Sequence, residues 1–138
     1  MKKYLLFFLI AVLQLSLNAQ KSDKPFMTKS LSNESIKDVE VETSGGSISV
    51  SGVAATEARV EVYITSNNNK ELTKEEIQQR LNEKYNLNVS VANNKVTATA
   101  RLKEKMTDWK KALNISFKVF VPKNVSTDLS TSGGSISL

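Results

Sequence analysis

The chain has no cysteine and no histidine among its 138 residues. Without cysteine there is no disulfide framework and no thiolate nucleophile, so stability must come from a packed core and from hydrogen-bonded ladders. Without histidine, Ser-His-Asp and Cys-His catalysis are excluded, as are zinc sites of the usual His/Cys type. Proline occurs twice and tryptophan once, and four of the five glycines fall in just two pairs. Long apolar runs are equally scarce. The only one, Tyr4–Leu13, is ten residues long, about half of the ~20 that a membrane-spanning helix needs. It follows Lys2 and Lys3 and leads to Leu17-Asn18-Ala19, the pattern of a secretory signal cleaved before Gln20. The expected organisation is a signal peptide over 1–19, a polar leader over 20–35, and a single domain over 36–138. No transmembrane helix remains after cleavage. The chain from Gln20 onward is long enough to bury about two-thirds of its unfolded surface.

The formal charge is +5, of which Lys2 and Lys3 are expected to leave with the signal peptide. Gln20–Thr65 carries five basic and seven acidic residues, whereas Arg101–Leu138 carries seven basic residues against Glu104, Asp108 and Asp128. A basic C-terminal half suits acidic glycans or an anionic envelope surface, although scattered solvated lysines explain the same count. Nucleic acid is not an expected partner, because the basic residues are not interleaved with aromatics in a binding motif.

What is present is alternation. Lys37–Thr43 puts Val39 and Val41 on one face and Asp38, Glu40 and Glu42 on the other. Ser47–Ser51, Glu57–Thr65 and Leu113–Val121 repeat the pattern. The last of these has Phe120 on its polar face, which implies that this face is partly covered. Leu87–Ala92 and Lys95–Leu102 flank Asn93-Asn94, which suits a two-residue type I′ hairpin pairing Val91 with Val96, Val89 with Ala98 and Leu87 with Ala100. Val125–Ser130 and Ser135–Leu138 complete the strands, and Phe26–Leu31 reads as a short edge strand. One helix is expected over 73–85. Thr73 is its N-cap and Glu76 completes a Thr-x-x-Glu capping box. Leu72 and Ile77 form the hydrophobic staple, and Ile77, Leu81 and Tyr85 make a narrow apolar stripe.

The heptapeptide Thr-Ser-Gly-Gly-Ser-Ile-Ser occurs twice, at Thr43–Ser49 and Thr131–Ser137. Each copy reads as a bend feeding a strand. Gly45, Gly46, Gly133 and Gly134 supply the bends, and Ile48 and Ile136 the core of each rung. The 88-residue offset exceeds any solenoid period of about 20–50 residues. The copies are therefore expected as neighbouring rungs, Ile48 beside Ile136, with a helix-and-hairpin excursion between them. Neither copy is a Gly-x-Ser-x-Gly elbow or a phosphate loop. Neither matches the Asp-bearing calcium roll, and no cofactor is implied.

An exported chain in which an alternating strand leads into Thr-Ser-Gly-Gly-Ser-Ile-Ser-Val-Ser-Gly resembles a bacterial adhesin-like family, exported domains of unknown function. Leu-Asn-Ile-Ser-Phe-Lys-Val-Phe-Val-Pro at Leu113–Pro122 and the second heptapeptide extend the likeness over most of 37–138. The resemblance implies a mainly β, solenoid- or roll-like stack at the cell envelope, surface or beyond, with no catalytic residue to carry over. Family members continue with further Gly-Gly rungs. The expectation here is a stack cut short at its C-terminus, or a last strand that pairs with another chain.

The leading functional reading is an exported, non-enzymatic envelope scaffold, adhesive or structural, whose partners are envelope glycan or surface protein. The alternatives are a carbohydrate-binding module, including one for anionic glycans, and a carboxylate-dependent carbohydrate-active enzyme. The enzyme needs two of Asp38, Glu40, Glu42, Asp108 and Asp128 to converge in a cleft at about 5–9.5 Å. Trp109 and Tyr63 are candidates for stacking on a sugar, against the expectation that Trp109 plugs one end of the core. Four Asn-x-Ser sequons, at Asn33, Asn88, Asn114 and Asn124, have no use without a eukaryotic glycosylation route.

Overall fold

A computed structural model describes residues 24–68 and 70–138. The signal-peptide expectation over Met1–Ala19 lies outside the described residues. The protein is mainly β, with two mixed sheets and one helix. The strands are β1 (Met27–Ser30), β2 (Asp38–Thr43), β3 (Ile48–Gly52), β4 (Arg59–Ser66), β5 (Tyr85–Ala92), β6 (Lys95–Leu102), β7 (Leu113–Val121), β8 (Ser126–Thr131) and β9 (Ile136–Ser137). The helix α1 spans Lys74–Lys84 between β4 and β5. One sheet runs β1-β4-β7-β3-β9 and the other β5-β6-β2-β8. Their inner faces close on one core that includes Val39, Val41, Val60, Val62, Ile115 and Phe117.

Alternation decides which face each strand buries. In β7, Leu113, Ile115, Phe117, Val119 and Val121 are buried, and in β4 the same holds for Val60, Val62 and Ile64. The hairpin pairs Val91 with Val96, Val89 with Ala98 and Leu87 with Ala100. Asn93 and Asn94 adopt φ of 54° and 63°, the left-handed pair that a type I′ turn requires. In α1, Ile77 and Leu81 are buried, Thr73 is the N-cap, and its hydroxyl accepts from the Glu76 amide at 3.2 Å. The structure carries this half of the capping box; among the described residues no side-chain bond returns from Glu76 to the Thr73 amide. Thr73→Ala should cost about 1 kcal/mol, read as a lower urea midpoint at unchanged m-value.

The stretch expected as a polar leader belongs to the body of the fold. Strand β1 pairs with β4, Met27 opposite Val62, and Leu31 is fully buried. The short edge strand expected over Phe26–Leu31 is this β1, which lies at the edge of its sheet.

The parallel pairings organise the molecule into three tiers, each a strand of one sheet turning into a strand of the other. The middle tier is β2–β3. On one side β6 and β7 lie parallel to it, and on the other β8 and β9. The same backbone bonds recur from tier to tier. The Ile115 amide donates to Gly45 O at 2.7 Å and the Gly46 amide to Gly133 O at 2.9 Å. The Phe117 amide donates to Ser47 O at 3.0 Å, and the Ile48 amide to Ser135 O at 2.9 Å. Ile115, Gly46 and Gly134 thus occupy equivalent places, as do Phe117, Ile48 and Ile136. The excursion between the heptapeptides therefore returns, through β6 and β7, as a tier of the same stack. Antiparallel β5, β4 and β1 cover that side, whereas β8 and β9 are the outer strands on the other.

Candidate functional site

The corners of the tiers come first, because the heptapeptides form two of them. Gly46 and Gly134 have φ of 135° and 140°, a region that side chains other than glycine's rarely enter. Space enforces the same choice. A Cβ on Gly46 would lie 2.3 Å from Ile115 O, and one on Gly134 2.0 Å from Gly46 O. Gly45 and Gly133 also lie in the bends but are not confined by space: the nearest atom to a Cβ on Gly45 is 3.8 Å away, and nothing lies within 4 Å of one on Gly133. Only the second glycine of each pair passes over the backbone of the tier beneath.

The threonines complete the corner. Thr43 Oγ1 donates to Ile115 O at 2.6 Å, and Thr131 Oγ1 donates to Gly46 O at 3.0 Å. Each hydroxyl thus satisfies the corner carbonyl of the tier below, and Thr43 is almost completely buried. These groups are spent on structure and are not poised for attack. Ile48 pairs with Ile136, but their environments differ. Ile48 is 1 % exposed and Ile136 45 % exposed, because β9 is the last strand of its sheet and no described residue covers it. Ile136 is therefore corrected from a core position to an edge position.

The carboxylates Asp38, Glu40 and Glu42 lie along the outer face of β2. Glu40 is in register with Asp128 on β8, and Lys95 Nζ lies 3.2 Å from Glu40. Arg101 pairs with Glu42. Asp108 is elsewhere, accepting the Lys110 amide at 3.1 Å as the cap of a short 3-10 turn. The face formed by β2 and β8 is open, and neither of two clefts elsewhere on the molecule is lined by any of these five residues. Among the described residues no group of three or more Asp or Glu is placed to hold a metal ion, and no helix is long and apolar enough to cross a membrane.

The larger cleft, about 600 Å³, lies between β4, the segment before β1 and the start of α1. Phe26, Ile64, Leu72 and Ile77 give it an apolar floor, and Lys70 and Lys74 stand on its rim. The smaller, about 400 Å³, lies over Arg59 and Phe120. Phe120 is covered on that face by the Arg59 guanidinium, 3.9 Å from the ring centre, which accounts for an aromatic on a polar face. Lys118 Nζ stands 4.8 Å from the centre of the Tyr63 ring, so Tyr63 is not a bare sugar platform.

Glu61 ties this face together, accepting from Arg59 Nε at 2.9 Å and from the Tyr63 hydroxyl at 2.8 Å. The Arg59 hydrogen bond, aided by Tyr63 and opposed by partial burial, holds its carboxyl below the ordinary 4.5. A carboxyl lowered by folding contributes stability above its unfolded pKa, and that contribution fades as pH falls through the folded value. The melting temperature should therefore drop as pH falls below 4.5, and Glu61→Gln should flatten that part of the profile.

Trp109 is 64 % exposed, in the loop between β6 and β7. The expectation that it plugs the core is overturned: Met106 and Ala112 of the same loop are the buried residues. Tyr85, not Trp109, closes the core near this loop, its oxygen accepting the Leu113 amide at 2.9 Å. Burial raises the Tyr85 pKa above 10.0.

A scan against family models, a search of curated proteins and a search of solved structures each return no match. The site must be read from its own residues. Sequence reasoning missed the tier β6–β7, which has Ala100 where the others have Thr43 and Thr131, and Ile115 where they have Gly46 and Gly134. Its one available signal was strength: the alternating run Leu113–Val121 carries five large apolar residues on one face.

Proposed function

We propose that the protein is an exported scaffold of the cell envelope, structural or adhesive, with no catalytic role. The shape we infer for it is a short solenoid-like stack, in keeping with its resemblance to exported adhesin-like domains. The observation that carries the reading is the corner ladder. Thr43 and Thr131 satisfy one carbonyl after another, and Gly46 and Gly134 let the backbones touch. A chain that commits its hydroxyls and glycines in this way builds a stiff body with broad polar outer faces. The carboxylate-enzyme reading has less support, since Glu40 and Asp128 meet on an open face instead of in a cleft. Fractionation of cells expressing the full chain tests the proposal. The expected product is in the envelope or medium and begins at Gln20. Retention in the cytoplasm with Met1–Ala19 intact would refute it.

A further inference from the structure

The loop between β6 and β7 is an enlarged corner. The second and third tiers pass from their threonine to the stacked glycine through two residues, Ser44-Gly45 and Ser132-Gly133. The first tier passes from Ala100 to Ile115 through Arg101–Asn114, fourteen residues. Long loops on a rigid scaffold commonly carry binding function. This one holds Lys103, Lys105, Lys110 and Lys111 and the chain's only tryptophan, with Glu104 and Asp108 as its acids.

Its conformation presents the indole outward. Met106 and Ala112 are buried and pin the loop to the core. Asp108 accepts the Lys110 amide, the Lys111 amide donates to Asp108 O at 3.1 Å, and the Ala112 amide to Trp109 O at 3.2 Å. From the neighbouring loop, Asn67 Nδ2 donates to Trp109 O at 3.3 Å and its amide to Ala112 O at 3.1 Å. The turn is thus fixed before any partner arrives, so little ordering is lost on binding. Asp108 serves the turn. Lys105, Lys110 and Lys111 are exposed, and among the described residues none is in an ion pair.

We propose that this loop docks the protein on an anionic lipid surface, with Trp109 seated at the interface and Lys105, Lys110 and Lys111 meeting the headgroups. An indole with an apolar body and an N–H suits the boundary between water and hydrocarbon. Lysines beside it add attraction to anionic lipid. A sugar site needs a concave surface with converging polar groups, and neither of the two clefts described above is lined by Trp109 or by the loop's lysines. The inference goes beyond the scaffold reading and does not require it.

Because Trp109 is the only tryptophan, its emission in the full chain reports this contact directly, and binding through the apolar run Tyr4–Leu13 alone leaves the indole in water. With phosphatidylglycerol vesicles at low salt, the emission should move to shorter wavelength and be quenched by lipids brominated near the headgroup. With phosphatidylcholine vesicles it should not. Lys110→Gln with Lys111→Gln should weaken the response about 30-fold, at roughly a factor of five per lysine. These exposed positions leave the fold intact, which far-UV circular dichroism checks. The proposal is overturned if phosphatidylglycerol gives no shift, or if phosphatidylcholine gives an equal one. It is also overturned if dextran sulfate gives the shift and vesicles do not, which would assign the loop to an acidic polysaccharide.

Discussion

Gly46→Val should unfold the protein, whereas the same substitution at Gly134, in the identical heptapeptide, should leave most of it folded. Both glycines have positive φ and both would drive a Cβ into a carbonyl of the tier beneath. A β-branched residue is among the least able to adopt such a backbone. The difference lies in what depends on each corner. Gly46 sits in the middle tier, and beyond it Ile48 and Val50 are buried, paired with Phe117 and Val119 of β7. Relieving the clash with Ile115 O would separate β3 from β7, and with it the centre of the core. The loss should exceed about 4 kcal/mol, in the range reserved for gross steric or backbone failure. The strand that follows Gly134 is β9, whose Ile136 and Ser137 are both exposed, so this outer strand can peel away while the first two tiers persist. Thermal melts of both variants decide the matter, and equal destabilisation would contradict the tier description. Gly133→Ala, at an ordinary φ with open space around its Cβ, should be neutral or slightly stabilising.

The second large effect concerns the three equivalent apolar positions. Phe117→Ala should cost about 3–5 kcal/mol and Ile48→Ala about 2–5 kcal/mol, the usual range for emptying a fully packed site. Phe117 is fully buried, flanked by Val62 on β4 and Ile48 on β3. Ile136→Ala should cost least of the three, since that side chain is already half in water. Urea denaturation of the three variants should give midpoints falling furthest for Phe117 and least for Ile136. A large loss at Ile136 would mean that something covers β9 in solution.

Much of the fold was legible in the sequence because period-two alternation and turn chemistry are local. The hairpin register followed from Asn93-Asn94, and the helix start from Thr73. The juxtaposition of Ile48 with Ile136 followed from the repeat. What was hidden depends on contacts between distant segments. Nothing local marks β6 and β7 as a tier, since stacking against the middle tier, not composition, makes Ala100 equivalent to Thr43. The two glycines of each pair look alike in sequence, and only the backbone beneath distinguishes them. Phe120 was rightly suspected of being covered, but the cover, Arg59, comes from β4 across the register. Trp109 was misplaced because bulk argues for burial. Met106, smaller and more adaptable, fills the space instead. The absent histidine excludes histidine-dependent catalysis from the sequence alone, whereas the presentation of Trp109 depends on a turn tied down from Asn67.

The middle tier is encoded early in the chain, and both of its neighbours are encoded later. Asp38 pairs with Lys95 on one side and with Ser126 on the other. Strands β2 and β3 therefore have no parallel partner until β6 and β7 have formed. The β5–β6 hairpin, closed by a two-residue turn, is the piece able to form alone, on a scale of about 1–10 μs. It would lay down β6, on which β2 assembles, and β2 in turn would receive β8. The early strand β2 thus waits for β6, which is made after it, while β8 joins in the order of synthesis. Ladders between such distant segments place the chain among slow folders, on the scale of milliseconds to seconds. A chain built this way keeps its middle tier open until its later strands arrive.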